Sequence, residues 1–286
     1  MKWLWRSLGL VLGLSLIAAA ILAVKYFHRP GLAEEAAHRL VTAPQTDDTT
    51  ALTATWFGTT AVLLSDGEGS LFVDPFITRP EGWLNMLSNQ PIAPDEEKIA
   101  RTLSKAKLKN LEAVLVSHSH HDHAMDAGVI ARITGATLAG SSSTLNIGRG
   151  SGVLEPQLQL AKSGEPMKFG GFTVTYIESK HAGATGGRPT GDITEPLKTP
   201  ARYLDYKQGG TYSILIEHPL GSILFHGSAG FVPGVLKGRR ADLVLLGIAF
   251  ADDYDSYLRE LVDETGAARV IPTHWDDFTR PLDQPL

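Results

Sequence analysis

The sequence predicts a mixed fold of the α/β (α+β) class, preceded by one apolar N-terminal helix. At residues 112–133 a short apolar run, typical of a buried strand, passes into apolar residues at helical spacing. Residues 172–177 alternate between apolar and polar side chains and indicate another strand. Residues 254–264 have the amphipathic pattern of a helix. Strands and helices therefore interleave along the chain.

The composition limits the kinds of function that the chain can have. Its 286 residues are enough for one domain of about 230 residues and a tail. The net charge is −5 with acidic and basic residues interspersed, so we expect no surface for nucleic acid, and no protein partner is indicated. The chain has no cysteine, which excludes disulfides and thiolate ligands. Any metal ion must be held by nitrogen and oxygen atoms.

The N-terminus has the pattern of a membrane anchor. Residues 7–24 carry no charge and are enough to span a bilayer, and Arg6 and Lys25 flank them. A cleaved signal peptide is the alternative, but its apolar core is usually shorter, and the Ala-x-Ala string at 18–20 lies inside the run. We therefore expect membrane attachment through this helix, with the remaining chain outside the cytoplasm, which is the periplasm if the source is a Gram-negative bacterium. The chain then divides into a membrane anchor or signal segment at 1–29, a tether at 30–51 and one domain at 52–286.

The most informative string is H-x-H-x-D-H, formed by His118, His120, Asp122 and His123 directly after the buried strand. In extended chain, side chains two residues apart point the same way, so the first two histidines face one side, and the other two residues begin the following helix. One loop can then supply ligands to two adjacent metal ions. The alternative is a histidine-rich surface loop that binds metal adventitiously. Further isolated histidines at later strand ends argue against that alternative.

The H-x-H-x-D-H string after a buried strand resembles the metallo-β-lactamase superfamily of metal-dependent hydrolases. The resemblance extends from about residue 54 to about residue 278. It implies a four-layer αββα sandwich made of two similar ββα halves. It also implies that the metal ions lie at one edge, between the two sheets.

The same resemblance implies a complete set of metal ligands. A lone histidine is more often structural, but His181 and His274 each follow a strand where the family supplies a ligand. Three protein ligands for each ion leave one position open for water, as catalysis requires. Nitrogen and carboxylate ligands suit one or two Zn²⁺ ions first, with iron or manganese as alternatives. The implied ligands are His118, His120 and His181 for one ion, and Asp122, His123 and His274 for the other.

Three further positions relate to this set. Ser228 stands where the family commonly has an aspartate that bridges the two ions, and without that charge we expect the second ion to bind more weakly. Asp74 ends a strand, either as a turn residue or as a group that hydrogen-bonds a metal ligand. His226 lies in the same string as Ser228 and is expected to support a ligand or to be structural. Residues 182–210 lack a periodic pattern, and we expect this loop to face the substrate.

The strings around Asp74 and His274 look most like the branch that holds sugar-phosphate lactonases and N-acyl-phosphatidylethanolamine-type phospholipases D. The resemblance implies a hydrolase in which a metal-bound hydroxide, oriented by Asp122, cleaves a phosphodiester or a lactone or other ester bond. The substrate is expected to be a small molecule, or a lipid-derived one given the anchor. The first alternative is a β-lactam hydrolase, favoured by Ser228 and an extracytoplasmic location. The alternative from another class is a non-catalytic metal-binding module.

Overall fold

The computed structural model describes residues 2–27, 51–106, 108–183 and 188–280. The chain divides into two compact units, one of residues 1–45 with 285–286 and one of residues 46–284. The described part of the first unit is the helix α1, Lys2–Phe27. Most of the predicted tether lies outside the described residues.

The predicted membrane anchor is not supported. Crossing a bilayer takes about 20 consecutive, predominantly apolar residues in one helix, because lipid offers no hydrogen bonds to the backbone. In the part of the chain that the structure describes, no helix reaches that combination of length and apolarity. The prediction that the protein is anchored in a membrane through this helix is therefore wrong.

The first sheet of the second unit has six strands in the order β1-β2-β3-β5-β6-β7. The strands β1 to β3 pair antiparallel, and β3, β5, β6 and β7 pair parallel. The predicted buried strand is β5, at the middle of the parallel part. The strands are β1 Thr53–Trp56, β2 Val62–Ser65, β3 Ser70–Val73, β5 Leu111–Leu115, β6 Thr137–Gly140 and β7 Leu158–Leu160.

The second sheet also has six strands, in the order β14-β13-β12-β11-β9-β8. It repeats the pattern of the first, because β8, β9, β11 and β12 pair antiparallel while β12, β13 and β14 pair parallel. A separate pair joins β4, Pro91–Ile92, to β10, Ala201–Arg202. The strands are β8 Pro166–Phe169, β9 Phe172–Glu178, β11 Tyr212–His218, β12 Gly221–His226, β13 Leu243–Gly247 and β14 Arg269–Thr273.

Short helices cover the outer faces of the two sheets. Asp95 caps the helix α3, Glu96–Lys105, by accepting a hydrogen bond from the Lys98 backbone at 2.8 Å. The single helix predicted at 254–264 is instead an α-helix, α7, continued by a π-helical turn at Arg259–Asp263. The helices are α2 Trp83–Leu87, α3 Glu96–Lys105, α4 His121–Ala124, α5 Ala127–Thr134, α6 Ser142–Gly150 and α7 Tyr254–Leu258.

Three apolar cores hold these layers together. In β3, Leu71 and Val73 point into the core between the sheets, while Phe72 points into the core under the helices. The alternation follows from the two-residue period of a strand. A third core, which includes Leu246 and Tyr257, packs α7 against the second sheet. Helix, sheet, sheet and helix thus succeed one another, and the predicted mixed α/β fold is confirmed.

Candidate metal centre

The predicted ligands lie where strands of both sheets end. After β5, a loop carries His118 and His120, and α4 then carries Asp122 and His123. From the second sheet, His181 follows β9 and His274 follows β14 directly. The structure therefore brings residues that are up to 156 positions apart in sequence to one edge of the sandwich.

The first group consists of His118, His120 and His181, whose ligand atoms all lie within 4.8 Å of one another. The ring centroids form a nearly equilateral triangle with sides of 4.8, 4.9 and 4.8 Å. Three imidazoles facing one point in this way match the donor set of a tetrahedral site with one open position.

The second group consists of Asp122, His123 and His274, whose ligand atoms also lie within 4.8 Å of one another. One carboxylate oxygen, Asp122 Oδ2, is 3.5 Å from His123 Nε2 and 3.3 Å from His274 Nε2. The two groups adjoin, because the ring centroids of His118 and His123 are 3.9 Å apart. The six residues fall into the two groups that the sequence resemblance implies.

One buried atom tests whether a cation fits the first group. His118 Nε2 is buried and has no hydrogen-bond partner among the described residues, while Nδ1 of the same ring is 3.2 Å from Ser117 Oγ. An unsatisfied buried nitrogen is costly, and a metal ion satisfies it. Burial, reinforced by neighbouring His123, holds the pKa of His118 well below its usual value. The ring is therefore neutral, as a metal ligand must be.

Asp74 orients His123 from behind. Its Oδ2 is 2.7 Å from His123 Nδ1, and the carboxylate also accepts hydrogen bonds from the backbone and hydroxyl of Ser117, both at 2.6 Å. Burial alone would lower the pKa of His123, but the charges of Asp122 and Asp74 outweigh it and raise that pKa. Because Nδ1 donates to Asp74, Nε2 is left to face Asp122. Asp74 thus contacts a predicted ligand, which is the second of its two predicted roles.

The loop predicted to face the substrate contacts His120. The Pro189 carbonyl lies 3.3 Å from His120 Nε2, and because a carbonyl only accepts, the ring donates there and presents Nδ1 to the group. In the same loop, Tyr203 packs edge-on against His121, with ring centroids 4.8 Å apart. His121 belongs to neither group, and its ring also meets Phe278 at 6.1 Å. These contacts could not be predicted from the sequence, because loops carry no periodic pattern.

Ser228 and His226 support the site without joining either group. Ser228 Oγ accepts a hydrogen bond from the Ala182 backbone at 3.0 Å, directly after His181. His226 donates from Nε2 to the Gly230 carbonyl at 2.8 Å, and its Nδ1 is 2.8 Å from the hydroxyl of Ser213. Ser228 therefore holds the backbone beside a predicted ligand, and His226 holds the loop that contains Ser228.

Similarity to known proteins agrees with this arrangement. Residues 72–275 match the family described as "Beta-lactamase superfamily domain". The chain belongs to this superfamily. A metal-dependent hydrolase of Pyrobaculum arsenaticum is 29% identical over 227 residues, which are 78% of this chain and 84% of the relative. One from Rhizobium meliloti is 31% identical over 131 residues, 45% of this chain and 47% of the relative.

The chain spans about half the length of several curated relatives that it matches. Two solved structures share the fold of this superfamily member. Igni18, a metallo hydrolase of Ignicoccus hospitalis, superposes with a TM-score of 0.51 at 18% identity, covering 78% of this chain and 82% of that one. A possible metal-dependent hydrolase of Veillonella parvula gives a TM-score of 0.51 at 16% identity, covering 78% and 86%. The predicted resemblance to metallo-β-lactamase-fold hydrolases is confirmed.

Gly230→Ala is expected to disturb the first group. An added Cβ would lie against the carbonyl oxygen of His181, far inside contact distance, so the chain at His181 must move. We expect metal affinity to fall at least about tenfold, as when the support of a ligand is lost. Isothermal titration with Zn²⁺ measures this, with Gly13→Ala as control, since a Cβ there meets nothing within 4 Å. Equal affinity in both variants would contradict the expectation.

His226 predicts a pH dependence of stability. Burial lowers the pKa of His226 from 6.5 to about 4. His226 takes up a proton near pH 6.5 in the unfolded chain and only near pH 4 in the folded chain. Its contribution to the free energy of unfolding is therefore complete above pH 6.5 and is lost as the pH falls from 6.5 to 4. The loss amounts to about 3 kcal/mol of unfolding free energy.

Urea unfolding between pH 4 and pH 7.5 checks this effect. Wild type and His226→Gln are compared in the presence of a chelator, so that the other histidines titrate alike in both proteins. Glutamine retains a donor and an acceptor but does not titrate, so we expect the wild type to lose more stability toward low pH. Parallel pH profiles would show that His226 is not the titrating group.

Proposed function

We propose that the chain is a metal-dependent hydrolase that cleaves a phosphodiester or a lactone or other ester bond of a small molecule. The observation that carries this proposal is the pair of adjoining three-residue groups, linked by the 3.9 Å contact of the His118 and His123 rings. A purely structural metal site has its ligands closed around one ion, whereas three protein ligands in each group leave a position open. The names of the relatives, metal-dependent hydrolases, agree with it.

The donor set defines which ions fit. Five imidazoles and one carboxylate are available in a chain without cysteine, which suits Zn²⁺ first and iron or manganese next. When bound, such an ion lowers the pKa of a coordinated water toward 7 and so supplies a nucleophile at neutral pH.

Asp122 has the position and the charge to orient that nucleophile. Burial would raise the pKa of this carboxyl, but the neighbouring His123 and His274 hold it well below its usual range. The carboxylate is therefore ionised at neutral pH and can accept a hydrogen bond. Its Oδ2 faces the two histidines at 3.5 and 3.3 Å, which fixes its direction toward the second group. A group held in this way contributes by orienting the nucleophile.

The residues around the first group favour reaction away from bulk water. His118 is fully enclosed, and the Pro189 carbonyl covers the outer edge of the His120 ring. Cleavage of phosphodiesters and lactones develops negative charge on a leaving oxygen. Two cations held at one edge of the sandwich would attract that negative charge. The attraction is stronger where the site is little exposed to water.

The alternatives have less support. The β-lactam alternative relied on Ser228 and on a location outside the cytoplasm. The hydroxyl of Ser228 is engaged with the Ala182 backbone, and the predicted anchor is not supported. The lipid-derived substrate relied on that anchor as well. A non-catalytic module would be favoured by missing ligands, but all six predicted ligands are present in two groups.

The proposal is tested by measuring hydrolysis by the full chain of three chromogenic substrates: a phosphodiester, a lactone and a cephalosporin. With Zn²⁺, Mn²⁺ or Fe²⁺ supplied, we expect metal-dependent turnover of one of the first two. His120→Ala should lose at least about a hundredfold in kcat/KM, because a first-group ligand is gone. The matched control is His218→Ala, since His218 pairs with Asp66 at 3.2 Å. Metal-loaded protein inactive on all three would favour a binding module, and turnover of the cephalosporin alone would favour the β-lactamase alternative.

Metal removal is expected to occur in two steps. At position 228, where the family commonly has the bridging aspartate, this chain has a serine, and its hydroxyl contacts the Ala182 backbone. Repulsion between the two cations is then offset less, so the ion held by Asp122, His123 and His274 should leave first. The measurement is titration with a chelator followed by metal analysis. We expect metal release in two phases, and we expect His274→Ala to abolish the earlier phase. A single phase releasing both ions together would contradict this expectation.

A further inference from the structure

Three non-glycine residues with left-handed backbone belong to one buried cluster. Thr59 has a φ of 49°, Arg79 a φ of 46° and His274 a φ of 58°. Such values are uncommon for residues with a side chain, and they persist only where surrounding contacts enforce them. One of the three, His274, is a proposed metal ligand. The contacts that hold its backbone in this conformation therefore bear on the metal site.

Hydrogen bonds connect His274 to Thr59 and then to Asp276. The His274 backbone N–H donates to the Thr59 carbonyl at 2.8 Å, and the Thr59 N–H donates to Asp276 Oδ1, also at 2.8 Å. The indole of Trp56 donates to the same Thr59 carbonyl at 3.0 Å. Thr59 is thus held at both its backbone N–H and its backbone carbonyl. We call Thr59, Arg79 and Asp276 the Thr59 platform.

A buried ion pair holds this platform together. Arg79 Nη2 lies 2.5 Å from Asp276 Oδ2 and donates to Thr59 Oγ1 at 3.1 Å, and Arg79 Nη1 donates to the Arg280 carbonyl at 3.4 Å. Both charged side chains are completely buried. Burying a charged pair offers little net stability compared with apolar residues of the same size. A role other than stability is therefore expected for it.

The contacts of the platform are directed toward the second group. Thr59 supports His274 through the backbone, and the next residue, Thr60, places its hydroxyl 3.0 Å from His123 Nδ1. In the first group, His118 and His120 are supported by different residues, namely Ser117 and Pro189. A change in the platform therefore reaches the second group directly.

We propose that the Arg79–Asp276 ion pair is a positioning device that acts through Thr59 to hold His274, and so sets the affinity of the second metal ion. The inference rests on the proposed function, because it requires that the two groups bind metal. The pair does not touch the ion. It determines where the imidazole of His274 points, and a misdirected ligand weakens metal binding without removing a donor.

The test compares the stoichiometry and affinity of Zn²⁺ in five proteins by competition with a chromophoric chelator. The proteins are the wild type, Arg79→Met, Asp276→Asn, the double variant Arg79→Met/Asp276→Leu and the control Arg280→Met. The control removes an arginine from the same segment, where it forms a partly exposed pair with Asp277. We expect the first ion to bind equally in all five. The second ion should bind roughly 10- to 100-fold more weakly in the three platform variants and normally in the control.

The double variant separates positioning from stability. Removing one charge of a buried pair leaves the other uncompensated, so Arg79→Met alone can fail to fold, whereas replacing both by apolar residues avoids that penalty. If the double variant has the wild-type Tm and binds both ions with wild-type affinity, the positioning role is overturned. An equal loss of both ions in every platform variant would also overturn it, since a general loosening lacks selectivity. If the wild type itself binds no second ion, the paired site of the proposed function fails, and that outcome is seen before any variant is measured.

Discussion

The hydrogen bonds that Asp74 accepts are the interaction on which the site depends. The parallel strands β3 and β5 end side by side, and the carboxylate at the end of β3 accepts from the backbone and hydroxyl of Ser117 at the end of β5. The same carboxylate reaches Nδ1 of His123, the third residue of α4. One buried group therefore fixes both the start of the loop that carries the histidines and the helix that follows. A neutral side chain there would leave these donors without a charged acceptor, at a cost of about 1.5–3 kcal/mol for each bond to a charged group.

The two groups are supported by different kinds of interaction. Neutral groups support the first, since a hydroxyl contacts His118 and a backbone carbonyl contacts His120. Burial lowers the pKa of His120 to about 4, so its ring is neutral over the physiological range. Charged groups support the second, because Asp74 contacts His123, and the Arg79–Asp276 pair contacts Thr59, whose carbonyl accepts a hydrogen bond from the His274 backbone. The first group is thus ready to bind a cation without charge compensation, whereas the second depends on a balance of buried charges.

The sequence predicted most of what is local in this structure and little of what is not. The apolar run at 113–116 identified β5, because a strand buried on both faces leaves that trace. The motif residues followed from their spacing, but His181 and His274 depended on resemblance. Arg79 and Asp276 are 197 residues apart, and no periodicity marks an ion pair formed across that distance. The absence of charge at 7–24 predicts an anchor, and that prediction is wrong, because no described helix is long and apolar enough to cross a membrane.

The loop after β12 explains how a chain without the bridging aspartate keeps the same architecture. A Cβ on Gly227 would lie 2.6 Å from Ser117 Oγ and 2.7 Å from Asp74 Oδ2, so only glycine lets the loop approach the Asp74 network. Gly230 packs more closely still, against the His181 carbonyl. Between them, Ser228 fastens the loop to the Ala182 backbone. The loop must therefore pack closely where the two sheets meet at the site. That requirement is the same whether or not residue 228 carries a charge. A change of ligand chemistry at position 228 can then alter the coupling of the two groups without altering the fold.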